Sequence, residues 1–488
     1  MLFFTQENTR SRKPADALVI PFWQTKDEKI ECAHKIDSKL LQRYLTLEDF
    51  KAKKGQIHVV FVDDIVEKRA ILVGLGKQEE CDSEALRMSY SKVILSAISK
   101  KHIYLNVLFP KCKKCKPQTV IPACIEGMML ANYLFEYKKP SKDKKLVQKL
   151  FLLGISKSYL TKAKEIAKLS ESVCFARDLV NSNAEVVNSD YLAKVAKDLG
   201  KLPKVKTTIL EKAQIKKENM GLFLAVNQGS KFPPYLLIVE YKGNPKSKDV
   251  TVLVGKGVTY DTGGLSIKTS TGMVEMKLDM SGAASVLGTI RALCHLKSKR
   301  NVIAVVATTD NAIGPNSYRP GDVYTGCNGK TVEVTNTDAE GRLTLADAIA
   351  YSCKKLNPTR IINIATLTGS MVIALGEYIA GVMGNDDKLI QKLLNASKTT
   401  HERLWALPLP SDYLEDLKSD IADLKNSASR WGSGLKAGLF LKEFVDPKVK
   451  WAHIDIAGPA FIPKRMGYVP KGGTGFGVRL LVELIQSL

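Results

Sequence analysis

Apolar positions along the chain switch between two periods. Short apolar or alternating runs at 17–22, 57–62, 69–76, 103–109 and 150–154 read as β-strands. Between them, 83–98 and 121–135 carry apolar residues at helical spacing. A long helical pattern covers 158–180 and reads as a linker. Beyond it the alternation resumes. A helix is expected at 191–199 with Ser189 or Asp190 as its N-cap, strands at 205–210, 235–241 and 251–254, a helix at 282–297, and strands at 302–307, 331–335 and 360–365. Strand–helix alternation predicts an α/β protein with a mainly parallel sheet in its larger part. The expected organisation is a smaller N-terminal α/β domain over 1–170, ending in the linker helix, and a larger C-terminal α/β domain over 171–488.

Composition adds three constraints. A chain of 488 residues exceeds one ordinary core, which supports two domains. The first residues lack a basic stretch followed by an apolar one, and no apolar run is long enough for a bilayer, so neither a signal peptide nor a membrane span is expected. Nine cysteines, an odd and scattered number, favour free thiols in a reducing cytoplasm. Cys112-Lys113-Lys114-Cys115, with Cys124 not far on, has the opening of a zinc site but no second pair at finger spacing, and a solvated basic loop is the preferred reading.

The net charge of +23 is unevenly placed. Residues 91–170 hold 17 Lys and Arg against 4 Asp and Glu, a balance of +13, whereas residues 1–90 balance at 15 each. Such a stretch, with Lys113, Lys114, Lys116, Lys144 and Lys145 in it, could attract DNA without sequence preference. A solvated lysine-rich face is the favoured reading.

The chemistry gathers in two loops. After the strand expected at 331–335 comes Asn336-Thr337-Asp338-Ala339-Glu340-Gly341-Arg342-Leu343, and a helix is expected from Thr344. After 251–254 comes a glycine-rich stretch carrying Lys256, Asp261 and Lys268, followed by Asp279 just before a small-residue helix. Ligands of open α/β sheets bind beyond the carboxyl ends of the strands. Four carboxylates in one pocket would repel one another and raise each other's pKa values, and divalent cations would remove that conflict. Taken singly, each acid is as well explained as a solvated loop residue or a cap, as Asp279 could be for the helix after it. The motifs contain no histidine and no His-Glu-x-x-His, which disfavours a single-zinc thermolysin-like site. A two-metal phosphoesterase remains an alternative for such an acid set.

These motifs, in this order, resemble those of the leucyl (cytosol) aminopeptidases, over roughly 177–477. The resemblance implies a metallo-exopeptidase whose catalytic part is the C-terminal domain. It implies that Asp261 and Glu340 bridge two divalent ions, Zn or Mn, with Asp338 completing one site and Lys256 and Asp279 the other. Lys256 would then ligate as the neutral amine. A water shared by the two metals would be the nucleophile, Lys268 would stabilise the oxyanion, and Arg342 would hold a bicarbonate acting as general base. Met276, Asn336, Thr366, Leu367, Thr368 and Ala460 would surround the substrate side chain. The further expectations are release of N-terminal leucine and other apolar residues from peptides, a homohexamer, a role in peptide turnover and a cytoplasmic location.

Overall fold

The computed structural model describes residues 1–6, 12–34, 48–63, 65–136 and 145–488; Lys144 of the basic stretch lies outside them. The chain divides into two compact units, one of Met1–Glu171 with Lys464–Lys471 and one of Ser172–Pro463 with Gly472–Leu488. Both are α/β, as the alternating periods predict. The helix Ser158–Asn181 runs across the division.

In the first unit the strands are β1 (Leu2–Gln6), β2 (Ala17–Gln24), β3 (Ile30–Cys32), β4 (Ile57–Phe61), β5 (Arg69–Lys77), β6 (Tyr104–Val107) and β7 (Lys149–Leu153). They form one sheet in the order β1-β7-β6-β2-β5-β4, with β3 paired to β2. The pairs from β1 to β5 are parallel, and β4 closes the edge antiparallel. The helix Ser83–Ser99 starts where Asp82 Oδ1 accepts from Ala85 N at 2.7 Å. The second helix runs Pro117–Ala131 rather than 121–135, because Pro117 suits a first helical position and needs no N–H partner there.

The second unit is built on an eight-stranded sheet. Its strands are β8 (Val205–Leu210), β9 (Tyr235–Lys242), β10 (Val250–Asp261), β11 (Asn301–Asn311), β14 (Arg360–Ala365), β15 (Ala380–Gly384), β16 (Leu404–Ala406) and β18 (Lys450–Asp455). Their order is β16-β15-β18-β14-β10-β11-β9-β8. The middle four strands, β18, β14, β10 and β11, are mutually parallel, and antiparallel pairs flank them at β15–β18, β11–β9 and β9–β8. Val252, Leu253, Val254, Ile361, Ile362 and Ile364 are completely buried, as strands covered on both faces require. The helix expected from Tyr191 starts at Ser189, and its N-cap is Asn188, whose Oδ1 accepts from Tyr191 N at 3.0 Å.

Two expectations about the chemistry-bearing loops change. β10 does not stop at Val254 but continues to Asp261, so Lys256 lies inside a central strand. The glycines that suggested a loop mark a close approach instead. A Cβ on Gly255 would sit 2.5 Å from Gly282 O, and one on Gly282 would sit 2.7 Å from Lys256 N and collide with Ile364 O. The helix Ser281–His295 thereby presses directly on β10 and β14. Second, Thr331–Glu333 (β13) is not part of the main sheet. It forms a small separate sheet with β12 (Val323–Thr325) and β17 (Leu424–Lys425). The helix after it begins at Glu340, not Thr344.

Chain order and sheet order diverge at β10: β11 follows it on one side, and β14 is then laid down on the other. The carboxyl ends of β10 and β14 thus frame a topological switch point, the usual place for a ligand crevice. Gly282→Ala should test the close packing there. The added methyl has no room, and a loss of about 1–3 kcal/mol is expected for overpacking, read as a lower urea midpoint. An unchanged midpoint would show that helix and sheet can separate freely.

Candidate metal centre

Four backbone segments converge at this switch point. β10 ends in Asp261. A 3₁₀ turn, Met276–Met280, delivers Asp279. The loop before the helix Glu340–Leu356 carries Asp338, and the first turn of that helix carries Glu340 and Arg342. Thr366 follows β14 directly. Asp279 does not cap the following helix; Met280 holds that position with no side-chain cap. Asp279 instead turns inward, taking Lys256 Nζ at 2.8 Å and Thr366 Oγ1 at 2.8 Å on Oδ1.

Asp261, Asp338 and Glu340 each offer a carboxylate oxygen, and these oxygens lie within 4.8 Å of one another. Asp261 and Glu340 are buried and Asp338 is half-buried. Two lysines interleave with the acids. Lys256 Nζ also lies 2.8 Å from Glu340 Oε1, an ion-pair contact off the direction of a hydrogen bond, and donates to Thr366 O at 3.0 Å. Lys268 Nζ is 2.8 Å from Asp261 Oδ2 and pairs with Asp338 Oδ1. Gly341 makes room for this arrangement, since a Cβ there would meet Lys256 Nζ at 2.6 Å.

The electrostatics follow from burial and crowding. Burial, then Asp261, pushes Glu340 and Asp338 above the ordinary carboxylate range. Burial raises Asp279 well above it, with Glu340 and Asp261 adding to the rise and Lys256 opposing it. Burial works against the charge on Lys256, but Asp279, Glu340 and Asp261 outweigh it and hold the proton more tightly than on a free lysine. Lys268 is raised in the same way, chiefly by Asp261. In this arrangement the ammonium groups supply the positive charge. For Lys256 to ligate as a neutral amine, as the sequence reading expects, divalent cations must take over that charge.

The donor set fits such cations. Asp279 Oδ2 and Glu340 Oε2 are buried with no hydrogen-bond donor in the protein, a costly condition for carboxylates that a bound cation relieves. Arg342 is buried, donates from Nη1 to Asn426 O at 2.7 Å, and has no acceptor for Nε. Burial lowers its pKa to about 10, with Glu340 and Asp455 opposing. A planar oxyanion would satisfy the open side of that fork.

The residues expected around the substrate divide into two groups. Thr366 and Thr368 are buried, and their hydroxyls serve acids: Thr366 holds Asp279, and Thr368 Oγ1 donates to Asp455 Oδ2 at 2.7 Å. Asn336 Oδ1 accepts from Asp338 N at 2.8 Å and shapes the turn that presents Asp338. Met276 and Leu367 are half-buried, whereas Ala460 is buried.

Several residues to which the sequence reading gives no role hold the centre. Asn311 Nδ2 donates to Asp261 Oδ1 at 2.8 Å and to Thr337 O at 3.0 Å. Thr337 Oγ1 donates to Gly263 O at 2.6 Å and accepts from Ser266 N at 2.7 Å, joining the two motifs. Asn426 accepts from Thr335 N at 2.8 Å and donates to Asn336 O at 2.7 Å. Asp455 takes Leu367 N and Thr368, and burial raises its pKa to about 6. His453 is buried, and desolvation with Arg342 lowers it to about 3. The signal for Asn311 was positional: it ends β11 opposite Asp261 in the register of two parallel strands.

Comparison with known proteins covers the whole chain. The model of the cytosol aminopeptidase family catalytic domain matches residues 174–482, and that of the family's N-terminal domain matches 19–142. A probable cytosol aminopeptidase of Protochlamydia amoebophila is 46% identical over 495 aligned positions, with 100% of this chain and 99% of the relative covered. Its counterpart in Chlamydia caviae is 43% identical with the same coverage. Among solved structures, a tomato leucine aminopeptidase mutant matches with a TM-score of 0.89 and 31% identity, over 100% of this chain and 97% of that one. The bottromycin maturation enzyme BotP in complex with Mn matches at 0.85 and 29%, over 97% and 99%.

Asn311→Ala removes the side-chain donor to Asp261 while leaving every acid in place. Loss of a group that orients a metal ligand typically costs about 10–100-fold in affinity, and a weakening of that order in Mn²⁺ affinity is expected by titration calorimetry. Wild-type affinity in this variant would make Asn311 a packing residue only.

Proposed function

The chain belongs to the cytosol aminopeptidase family, and on that premise we propose that it removes N-terminal leucine and other apolar residues from peptides with two divalent cations, Zn or Mn, in the carboxylate centre. The observation that carries the proposal is the approach of Asp261, Asp338 and Glu340, their oxygens within 4.8 Å, beside the buried Asp279 Oδ2 and Glu340 Oε2, which have no donor in the protein. Asp261 and Glu340 would serve both ions, Asp338 one of them, and Lys256 with Asp279 the other. When bound, the ions acidify a shared water and polarise the scissile carbonyl.

The remaining work falls to side chains. Lys268 is the more exposed of the two lysines, its side chain 18% accessible against 4% for Lys256. It can therefore turn its ammonium from Asp261 and Asp338 toward the carbonyl oxygen of a substrate and stabilise the charge that grows there. Proton transfer needs a base, and the neighbouring side chains are poor candidates: His453 is too weakly basic, and Asp455 is spent on Thr368 and Leu367. Arg342 would hold a bicarbonate for this step, on the side where its Nε has no acceptor. A substrate's neutral amine would be able to coordinate a metal ion only as a free terminus, which favours exopeptidase action. Met276 would give the substrate side chain an adaptable apolar wall beside Leu367 and Ala460, with Asn336, Thr366 and Thr368 at the rim.

Among the described residues no helix is long and apolar enough to cross a membrane. The proposed setting is peptide turnover in the cytoplasm by a homohexamer. Light scattering at assay concentration should report six chains; a monomer would refute the assembly.

Hydrolysis of leucine p-nitroanilide should stop on chelation and return with Zn²⁺ or Mn²⁺. Absence of metal-dependent leucine release would sink the proposal, and faster turnover of p-nitrophenyl phosphate would replace it with a phosphoesterase. Glu340→Ala should lose activity together with at least one ion. Lys268→Ala should keep both ions and lower kcat by about 10²–10³-fold, the usual cost of a lost oxyanion donor. Normal turnover in Lys268→Ala with ions intact would remove it from that role.

A further inference from the structure

The first unit carries a second cluster of ligand atoms, of different chemistry. The Sγ atoms of Cys81, Cys112 and Cys115 lie within 4.8 Å of one another. Cys81 is buried, and the other two are half-buried. Cys124, the nearby cysteine in the sequence, is not in this group; it is buried beside Tyr90. The third member comes from a different connection. Cys81 precedes the helix Ser83–Ser99, and Cys115 precedes the helix Pro117–Ala131.

We propose that Cys81, Cys112 and Cys115 bind one thiophilic divalent cation, Zn²⁺ in the cell, and that this ion clamps the two connections together. Three observations support it. Zinc–sulfur bonds of about 2.3 Å place tetrahedral ligand sulfurs roughly 3.8 Å apart, so three sulfurs already within 4.8 Å need only a small closure. Cys115 N donates to Cys112 Sγ at 3.3 Å, which folds the Cys-x-x-Cys turn so that both sulfurs face the same side. The two connections are also held in register by other bonds. Lys113 N donates to Gln78 Oε1 at 3.2 Å, Lys114 Nζ to Glu79 O at 2.8 Å, and Cys115 Sγ to Cys81 O at 3.6 Å. The sulfurs are therefore presented by fixed backbone.

Charge and proton balance are consistent with this assignment. Binding one dication releases up to three thiol protons to solvent and leaves a unit of net charge −1, in a loop that carries Lys111, Lys113, Lys114 and Lys116. Burial, and then Cys112, raise the pKa of Cys81 and Cys115, so without an ion these are not a reactive thiolate pair. Among the described residues no further His, Cys, Asp or Glu joins the three within that distance, so the fourth position would fall to water.

The test uses the full chain, reduced, stripped of metal and reloaded with Co²⁺. Carboxylate and amine ligands give no sulfur-to-cobalt charge transfer, so a near-ultraviolet band of that kind reports this cluster alone. Wild type should show the band, Glu340→Ala should keep it, and C112S/C115S and Cys81→Ser should lose it. In parallel, reloading with Zn²⁺ should leave one ion fewer per chain in C112S/C115S than in wild type, with leucine p-nitroanilide turnover unchanged. No band in reduced wild type would overturn the proposal. So would a Cys112–Cys115 disulfide in protein purified without oxidant, or a band that survives C112S/C115S. If Cys81→Ser fails to fold, the wild-type band and the loop variant still decide. Loss of aminopeptidase activity in Glu340→Ala with the band intact would separate this site from the catalytic one.

Discussion

The second unit is organised around an electrostatic conflict. Asp261, Asp279, Asp338 and Glu340 are gathered into a largely buried space, where Asp261 raises the cost of ionising the other three and Glu340 that of Asp279. Two like charges about 4 Å apart repel by about 4 kcal/mol at an effective dielectric near 20. No close-packed fold keeps four such groups together without positive charge among them. Lys256 and Lys268 provide part of it, each bound between two acids. The carboxylate oxygens that remain without donors are hard oxygen ligands of the kind divalent cations take.

The backbone features nearby can be read as conditions for holding that conflict in place. Gly255, Gly282 and Gly341 let a strand and two helices approach closely enough for Lys256 to reach both Asp279 and Glu340. Thr337 and Asn311 tie the two acid-bearing motifs to each other and to the end of β11. Asn426, from the chain beyond β17, bonds the turn at Thr335–Asn336 and accepts Arg342 through its carbonyl. The small sheet of β12, β13 and β17 thus has a purpose that its size conceals: through Asn426, next to β17, it holds the turn before Asp338.

Much of this was legible in the sequence, and the rest was hidden for identifiable reasons. Apolar runs such as 302–307 and 360–365 revealed buried strands because burial on both faces leaves little else to encode. The acids stood out as a set, because four carboxylates in glycine-rich loops after strands are poorly explained as so many separate caps or solvated residues. Lys256 was misplaced into a loop because Gly255 and Gly257 weaken a strand signal, although here they serve close packing. β15 escaped because Ala380-Gly381-Val382-Met383-Gly384 has one β-branched residue and depends on its neighbours β16 and β18 for its conformation. Asn311 and Asp455 escaped because their importance lies in register and in partners far away in the chain, which local pattern does not carry.

The two ligand clusters differ in a way that bears on metal selection. The centre of the second unit is almost entirely oxygen, with one amine, and suits cations such as Mn²⁺ as well as Zn²⁺. The cluster of the first unit is entirely sulfur, which Mn²⁺ binds poorly and Zn²⁺ binds well. Affinity order alone would let zinc fill both. On the proposed assignments, the division of donor types would let the oxygen centre follow metal availability while the sulfur cluster keeps zinc. A chain arranged in this way could exchange the ion that sets its reactivity without releasing the one that fixes its loops.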